Sequence, residues 1–494
     1  MYDQIATDLF TALPILIVGA AGIAVVLWDA FQNDSPAIPW LAGAALLAAA
    51  ALEVLRLGPE AVAFAGHLYG GGAASVANLI VLAGALGSLV LSVPYLKRIG
   101  HNYGEVHALI LFAVAGMMTL ASSGSLITLF VGLETMSVCL YVLTGLVREE
   151  STANESALKY FLLGAFSTGF FLYGIALLYG ATGAMTFAEL APALLVTDQT
   201  ALFAVGVGLL LIGFFFKVSA VPFHMWTPDV YQGAPTTLTA FMSTASKAAA
   251  FAALIVVLAR ALPAEVVAGP VQTVLAAVAA VTMVGGNVAA LTQTNVKRML
   301  AYSSVAHAGY ILAGRAAGTG AGYGGALFYL LAYTLMNVGA FGAISALEWD
   351  AEQGADQSLD SLAGMGYRKP LLGVALGVFM FALTGFPPLA GFIGKYLVFA
   401  AAVDAGLTWL AVVGVLASVV SAFYYLRVLV VLWMRQPDEA PEAVQAAAFP
   451  VGTATLIVIG VCVVALLALG VLPAGLIDAT STVFGVGDVV ALAP

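Results

Sequence analysis

The sequence predicts an all-α polytopic membrane protein. Hydrophobic residues make up 62% of the 494-residue chain and charged residues only 9%, and the mean hydropathy is +1.05. That is more apolar surface than a soluble domain can bury. The apolar residues also form runs of roughly 17–25 residues, the length that crosses a bilayer as a helix.

These runs predict about fourteen transmembrane helices, because roughly 20 apolar residues suffice for each. The first contains Pro14, and the runs at 200–227 and 370–402 contain breaks. In order, the predicted spans are 9–28, 37–57, 74–96, 105–122, 124–147, 156–180, 200–227, 236–258, 270–291, 297–314, 322–347, 370–402, 406–433 and 450–473.

Loop charges predict the orientation, since cytoplasmic loops carry the excess of Lys and Arg. One set of loops receives Lys97, Arg98, Arg148, Lys297, Arg298, Arg368, Lys369 and Arg435, and the other only Arg56, Arg260 and Arg315. The bias places both termini on the periplasmic side. Acidic residues, not basic ones, precede the first run, so no cleaved signal peptide is expected.

Composition also excludes several function classes. The net charge of −10 argues against nucleic acid. The two cysteines, Cys139 and Cys462, lie in apolar runs and cannot supply the four ligands of an iron–sulfur cluster. No carboxylate cluster indicates a divalent metal. We therefore expect no cofactor or metal in this chain, and the lipid bilayer as its surroundings.

The stretch from Phe214 to Lys247 organises the chain. An apolar run carries Lys217 to membrane depth and breaks at Pro222, with His224 beyond the break. The next apolar helix holds Lys247 at its centre. An amine at that depth costs roughly 2.5–3.5 kcal/mol on insertion scales, and proton or ion passage is the reason we favour.

A second break supports an internal repeat. The segment TGFPPLAGFIGK places two prolines ahead of Lys395. Paired broken spans indicate repeats with the functional site at the breaks. We predict two inverted five-helix repeats, 105–258 and 270–433. A three-helix segment, 1–104, precedes them, and a loop with a last helix, 434–494, follows.

The ionisable residues have competing interpretations. Glu134, central in the fifth span, is expected to pair with Lys217, either to modulate its proton affinity or as a structural salt bridge. Snorkelling, the alternative for the lysines, operates near helix ends and is a serious rival for Lys159.

The histidines have alternatives too. His224 could relay protons or cap and pack a helix, and His307 is a weaker candidate of the same kind. The role of Arg427 stays open.

Three segments carry a family resemblance: FFFKVSAVPFHMWTPDVYQGAPTTLTAFMSTASKAAAF, VKRMLAYSSVAHAGYIL and LTGFPPLAGFIGKYLVF. They resemble the shared core of the antiporter-like subunits of respiratory complex I and of multisubunit sodium/proton antiporters. Two features favour one branch of this family. Lys395 stands where the M-type branch is expected to have glutamate, and the chain stops without the long lateral helix of the L-type branch.

The resemblance implies roles and a setting. Glu134 would modulate Lys217, Lys247 would connect the two halves, and Lys395 would be the terminal exchange site, with Lys159 and His224 at family positions of less defined role. NADH, flavin mononucleotide and iron–sulfur clusters would belong to partner subunits, and quinone would be reduced outside this chain. K-type and M-type subunits would be its neighbours in the bacterial inner membrane.

Three hypotheses follow. The leading one is a proton-translocating subunit of an NADH–quinone oxidoreductase with no redox centre of its own. The alternative is a subunit of a multisubunit cation/proton antiporter driven by an ion gradient. The third is a structural spacer that only anchors its neighbours.

Overall fold

The computed structural model describes residues 2–32, 35–262, 267–348, 350–351, 354–355, 357–436 and 451–482. Within these ranges twelve helices are long and apolar enough to cross a membrane, or up to thirteen if a bent pair counts as one span. This confirms the polytopic helical class. Two predicted spans, 297–314 and the broken 370–402, also contain helices, but these helices are not among the twelve that are long and apolar enough to cross a membrane.

Seven of the eight helices before the first break lie at predicted spans, and the short one at Phe187–Val196 was not predicted. The eight helices are α1 Tyr2–Phe31, α2 Ile38–Leu55, α3 Gly72–Arg98, α4 Gly104–Ala121, α5 Leu126–Thr144, α6 Ser151–Thr182, α7 Phe187–Val196 and α8 Thr200–Val218.

From the first break to the C-terminus, the helices are α9 Trp226–Gly233, α10 Thr236–Val256, α11 Gln272–Leu291, α12 Val296–Ala316, α13 Gly320–Leu347, α14 Pro370–Thr384, α15 Ala390–Asp404, α16 Thr408–Met434, α17 Thr453–Val471 and α18 Ala474–Thr482.

Short elements fill the connections. An antiparallel hairpin joins α2 to α3, with strands β1 Ala61–Ala63 and β2 Leu68–Gly70, and a second pair is formed by β3 Asp350–Ala351 and β4 Gly354–Ala355. A π-helical turn, Val257–Ala261, continues α10, and another, Val267–Val271, precedes α11. Single helical turns lie at Phe64–Gly66, Asp360–Leu362 and Met365–Arg368. The sequence analysis missed the hairpins and α7.

Both predicted breaks are present, and they are built alike. Helix α8 ends in Ser219, whose φ of +64° is left-handed, and α14 ends in Gly385, whose φ is +88°. Prolines follow in each connection and prevent the helix from resuming at once. In contrast, Pro14 does not interrupt α1, which is continuous across it.

Helices α10 and α13 form the centre of the bundle. Every residue of α10 is buried, and most residues of α13 are too, whereas α17 exposes most of its surface. A helix that is buried all round is held by neighbours on every side. The centre therefore positions Lys247 away from lipid.

Helices α4 and α5 touch at glycines. A Cβ on Gly132 would lie 2.5 Å from the backbone nitrogen of Leu120, and a Cβ on Gly116 would lie 2.5 Å from that of Met136. Small residues allow such backbone contact in membranes, where van der Waals packing drives helix association. This contact fixes α5, which carries Glu134.

We expect Gly132→Ala to destabilise the protein by about 1–3 kcal/mol, because the added methyl group forces α4 and α5 apart. The measurement is the thermal unfolding temperature in detergent. Gly169→Ala on α6 is the control, since its Cβ would meet nothing within 4 Å and alanine favours helix. Equal unfolding temperatures for the two variants would contradict the packing argument.

Candidate functional site

Lys217 lies at the end of α8, directly before the first break, and only 5% of its surface is exposed. Its Nζ donates to Ser137 Oγ at 2.6 Å and to the Tyr141 hydroxyl at 3.4 Å, both on α5. The ammonium also lies 5.4 Å from the centre of the Tyr141 ring, within the range of cation–π attraction. Its direct partners are thus neutral.

Glu134 and Lys217 do not form a direct ion pair in this structure. Among the described residues, no carboxylate lies within 4 Å of the Lys217 ammonium, because the hydroxyl of Ser137, one turn from Glu134 on α5, takes that place. Glu134 stays within electrostatic range of the lysine, and its Oε1 is buried without a hydrogen-bond partner. Sequence reasoning missed Ser137, whose spacing from Glu134 was the available signal.

Lys247 projects from the middle of α10 towards α12. Its Nζ donates to the Ser304 carbonyl at 2.8 Å and to the Ser304 hydroxyl. The Tyr333 hydroxyl donates to the same Ser304 Oγ at 2.8 Å, and the Tyr231 hydroxyl lies 3.3 Å from it. The lysine is 1% exposed, which rules out snorkelling. Both hydrogen bonds that the Lys247 ammonium donates within the described residues therefore go to Ser304.

His307 lies one turn beyond Ser304 on α12 and is fully enclosed. Its Nδ1 is 2.8 Å from the Tyr329 hydroxyl and its Nε2 is 3.1 Å from the Tyr425 hydroxyl. Both Lys247 and Lys395 act on it electrostatically. His307 therefore lies within electrostatic range of two of the predicted lysines.

Lys395 lies in the second turn of α15, just after the break in its span. Its Nζ donates to the carbonyls of Leu383 at 3.1 Å and Thr384 at 2.9 Å, and to the hydroxyl of Ser418. The last carbonyls of a helix carry partial negative charge, which favours a cation there. The break thus supplies the acceptors that hold this ammonium.

Tyrosines connect His307 to the surroundings of Lys395. Tyr425 interacts with Tyr424, whose hydroxyl donates to Asn287 Oδ1 at 2.9 Å. The Asn287 amide donates to the Tyr310 hydroxyl at 2.9 Å, and Tyr310 in turn meets Ser418.

The sequence analysis did not select these tyrosines. These tyrosines lie inside predicted spans, whereas tyrosines of membrane proteins concentrate at the membrane–water interfaces. Their unusual position was the signal that could have found them.

Lys159 belongs to a different cluster, at the helix ends. Its ammonium pairs with Glu155 at 2.6 Å and Asp229 at 2.7 Å, and Asp229 also pairs with Arg298 at 2.6 Å. The side chain of Lys159 is 43% exposed. The structure does not bring it into contact with the buried lysines.

His224 is half-buried beyond the first break. Its ring faces Tyr302 with 6.4 Å between centroids, and no hydrogen bond among the described residues links it to a lysine. Arg427 donates to the Gln293 carbonyl at 3.2 Å. The described residues contain no group of three or more His, Cys, Asp or Glu that could hold a metal ion, and Cys139 and Cys462 are separate buried thiols.

Known proteins share this architecture. A family profile described as the transmembrane region of NADH:quinone oxidoreductase/Mrp antiporter proteins matches residues 123–421. NADH-quinone oxidoreductase subunit N of Salinibacter ruber is 59% identical over 97% of this chain and 96% of its own length. A chain of respiratory complex I from Thermus thermophilus is 37% identical with a TM-score of 0.80, covering 94% of this chain and 99% of that one.

A more distant structure shares the fold. A chain of the Mrp complex from Dietzia sp. DQ12-45-1b is 22% identical with a TM-score of 0.84, over 98% of this chain and 97% of that one. Fold and site thus define an antiporter-like membrane protein with three buried lysines inside its helix bundle. The chain belongs to the NADH:quinone oxidoreductase/Mrp antiporter family, and the resemblance found in its sequence is confirmed.

We expect Gly385→Ala to disturb Lys395 as well as the backbone. A left-handed conformation costs an L-residue roughly 1–2 kcal/mol, and the new Cβ would lie 2.9 Å from Lys395 Cδ. Gly183→Ala is the matched control, because its φ is +70° and its Cβ would meet nothing within 4 Å. Thermal unfolding in detergent should show the larger loss for Gly385→Ala. Equal losses would mean that the lysine contact contributes nothing.

Proposed function

We infer that this chain is the N subunit of an NADH–quinone oxidoreductase, set in the membrane arm of that complex, and that it translocates protons. The observation that carries the proposal is the set of three buried lysines, Lys217, Lys247 and Lys395, each hydrogen-bonded to neutral oxygen atoms. Relatives named subunit N match nearly the whole chain, at 59% identity in one case.

The proposal assigns redox chemistry to other subunits. Flavin mononucleotide and iron–sulfur clusters would lie in partner chains and quinone would be reduced outside this one. K-type and M-type subunits would flank it in the inner membrane, with both termini on the periplasmic side. Energy would then reach this subunit as a shift of charge in a neighbour, to which a buried ammonium is sensitive because Coulomb interactions are strong in a low dielectric.

Lysine suits this task because it can lose its proton when buried, whereas arginine stays charged. An ammonium without a carboxylate partner is costly in a membrane interior. Because like charges repel strongly in a low dielectric, protonation of one lysine would disfavour protonation of the next. A displaced charge at one end of the line would move a proton at the other.

Glu134 would control the first lysine. Its carboxylate lies within electrostatic range of Lys217 and has a buried oxygen without a hydrogen-bond partner among the described residues, while the lysine donates to Ser137 instead. A closer approach of Glu134 would stabilise the charged ammonium, and withdrawal would release its proton. The distance between the Glu134 carboxylate and the Lys217 ammonium would then set how firmly the lysine holds its proton.

His307 is our candidate relay between Lys247 and Lys395. It contacts the hydroxyls of Tyr329 and Tyr425 through its two nitrogens, so it can accept a proton on one side and donate on the other. For His224 the capping alternative stands. Lys159 would act from the ion cluster around Asp229, on the predicted cytoplasmic face.

We expect Lys217→Ala, in an assembled complex in membrane vesicles, to lose proton pumping or coupled NADH–quinone turnover. Lys217→Arg should fail as well, because its charge cannot be released. Pumping is followed with a pH-sensitive dye, and Lys97→Ala, at an exposed helix end, is the control.

Two other outcomes would each reject the proposal. Normal pumping in Lys217→Ala would favour a structural spacer. A sodium-dependent transport defect with NADH oxidation untouched would favour the cation/proton antiporter.

His307→Gln should impair pumping in a complex that still assembles, because glutamine keeps hydrogen-bonding groups but cannot take up a proton. The readout is proton uptake per NADH oxidised. His101→Gln is the matched control, since His101 lies at a helix end near Glu149. Pumping at the wild-type level in His307→Gln would restrict this histidine to packing.

A further inference from the structure

A buried carboxylate lies where α13 ends, at the predicted cytoplasmic face. Glu348 is 4% exposed, and its Oε1 accepts a hydrogen bond from Thr236 Oγ1 at 2.5 Å. Burial raises the pKa of this carboxyl, and the charges of Lys297 and Arg98 and the Tyr95 phenol act on it in the opposite sense. The sequence alone gives no signal that this residue is buried.

The second oxygen of Glu348, Oε2, is buried without a direct hydrogen-bond partner among the described residues, and the Tyr95 hydroxyl interacts with the same carboxyl group. The nearby Lys297 ammonium donates to the Ala234 carbonyl at 2.6 Å and forms no direct ion pair with Glu348 among the described residues. A carboxylate oxygen in that state has full capacity to accept a proton or a water molecule.

Two helices lead from Glu348 to Lys247. On α10, Thr236 and Lys247 are eleven positions apart, which is about three turns, or ~16 Å, on one helix face. On α13, Asn337 precedes Glu348 by the same interval and shares its face. Tyr333 lies one turn further and donates to Ser304, the serine that accepts from Lys247.

One unpartnered polar atom lies on this route. The Oδ1 of Asn337 is buried without a hydrogen-bond partner among the described residues. A buried polar group of this kind is usually satisfied by internal water. The proposal below places such water between the carboxylate and the serine.

One apolar ring interrupts the route. Phe341 lies on the same face of α13, between Glu348 and Asn337, and none of its surface is exposed. It meets Tyr231 edge to face, with 6.3 Å between centroids. The path is dry at this turn until the ring moves.

We propose that Glu348 loads protons for Lys247 from the predicted cytoplasmic side, along the face of α13 that carries Asn337 and Tyr333, with Phe341 as the gate. The Glu348 carboxylate takes a proton from water at the helix end. It releases that proton through internal water to the neutral amine of Lys247, which becomes an ammonium as the carboxylate is regenerated. The inference rests on the proposed proton-translocating function.

The test compares variants of the intact complex in vesicles. Glu348→Gln, which keeps the shape but not the acid, should lower proton uptake per NADH by as much as Lys247→Ala does. Glu348→Asp should restore most of the loss. Glu150→Gln is the matched control. Glu150 also acts on Lys297, but it is exposed, and it lies on the predicted cytoplasmic side like Glu348. This variant should pump normally.

Other results would overturn the proposal. Normal uptake in Glu348→Gln with loss in Lys247→Ala would remove Glu348 from the path and leave the proposed function standing. Normal uptake in both would reject the proposed function itself. Equal loss in Glu348→Gln and Glu348→Asp, together with a lower unfolding temperature of the complex, would mean that Glu348 only balances the charges of Lys297 and Arg98.

Discussion

The structure depends on keeping amines in a membrane interior without carboxylate partners. The Lys217, Lys247 and Lys395 ammoniums meet hydroxyls and carbonyls, while the direct ion pairs among the described residues lie at helix ends, as between Asp229 and Arg298. A fully paired buried lysine would hold its proton firmly, and an unpaired one without hydrogen bonds would not be tolerated. Neutral oxygen partners give the intermediate condition, in which an ammonium is stabilised enough to exist and weakly enough to discharge.

The broken helices supply part of this condition. Backbone groups freed at membrane depth must be satisfied within the protein, and here they are. The Trp226 indole donates to the Phe216 carbonyl at 2.9 Å, and Thr282 Oγ1 accepts from the Val221 amide at 3.0 Å. At the second break the lysine itself satisfies two freed carbonyls. The break therefore supplies acceptors for the ammonium, and the ammonium satisfies carbonyls that the break leaves without helical partners.

Sequence reasoning found the charges and the breaks because both have local signals. A lysine inside an apolar run and prolines after one can be read without knowing the packing. The hydrogen-bond partners of the lysines cannot be read from the sequence, because they depend on which side chains of the neighbouring helices lie next to each ammonium. Hence Ser137 replaced the expected Glu134, and Ser304 and the tyrosines around His307 were missed. Pro14 is a local signal too, but it lies within a continuous helix, so a proline predicts a break only where the surrounding packing requires one.

The two stretches between the lysines differ in kind. From Lys247 to Lys395, hydroxyls and His307 make a polar connection, interrupted only where the rings of His307 and Tyr333 face each other at 5.2 Å. From Lys217 to Lys247, the partners of the two amines share no member, and stacked aromatic rings such as Tyr160 and Trp226, 4.5 Å apart, lie beside the first. Under the proposed function, protons would pass along the second stretch by small reorientations of hydroxyl and imidazole groups. The first stretch holds no such connection among the described residues, so a proton would cross it only through water, and that stretch would be the place where transfer is controlled.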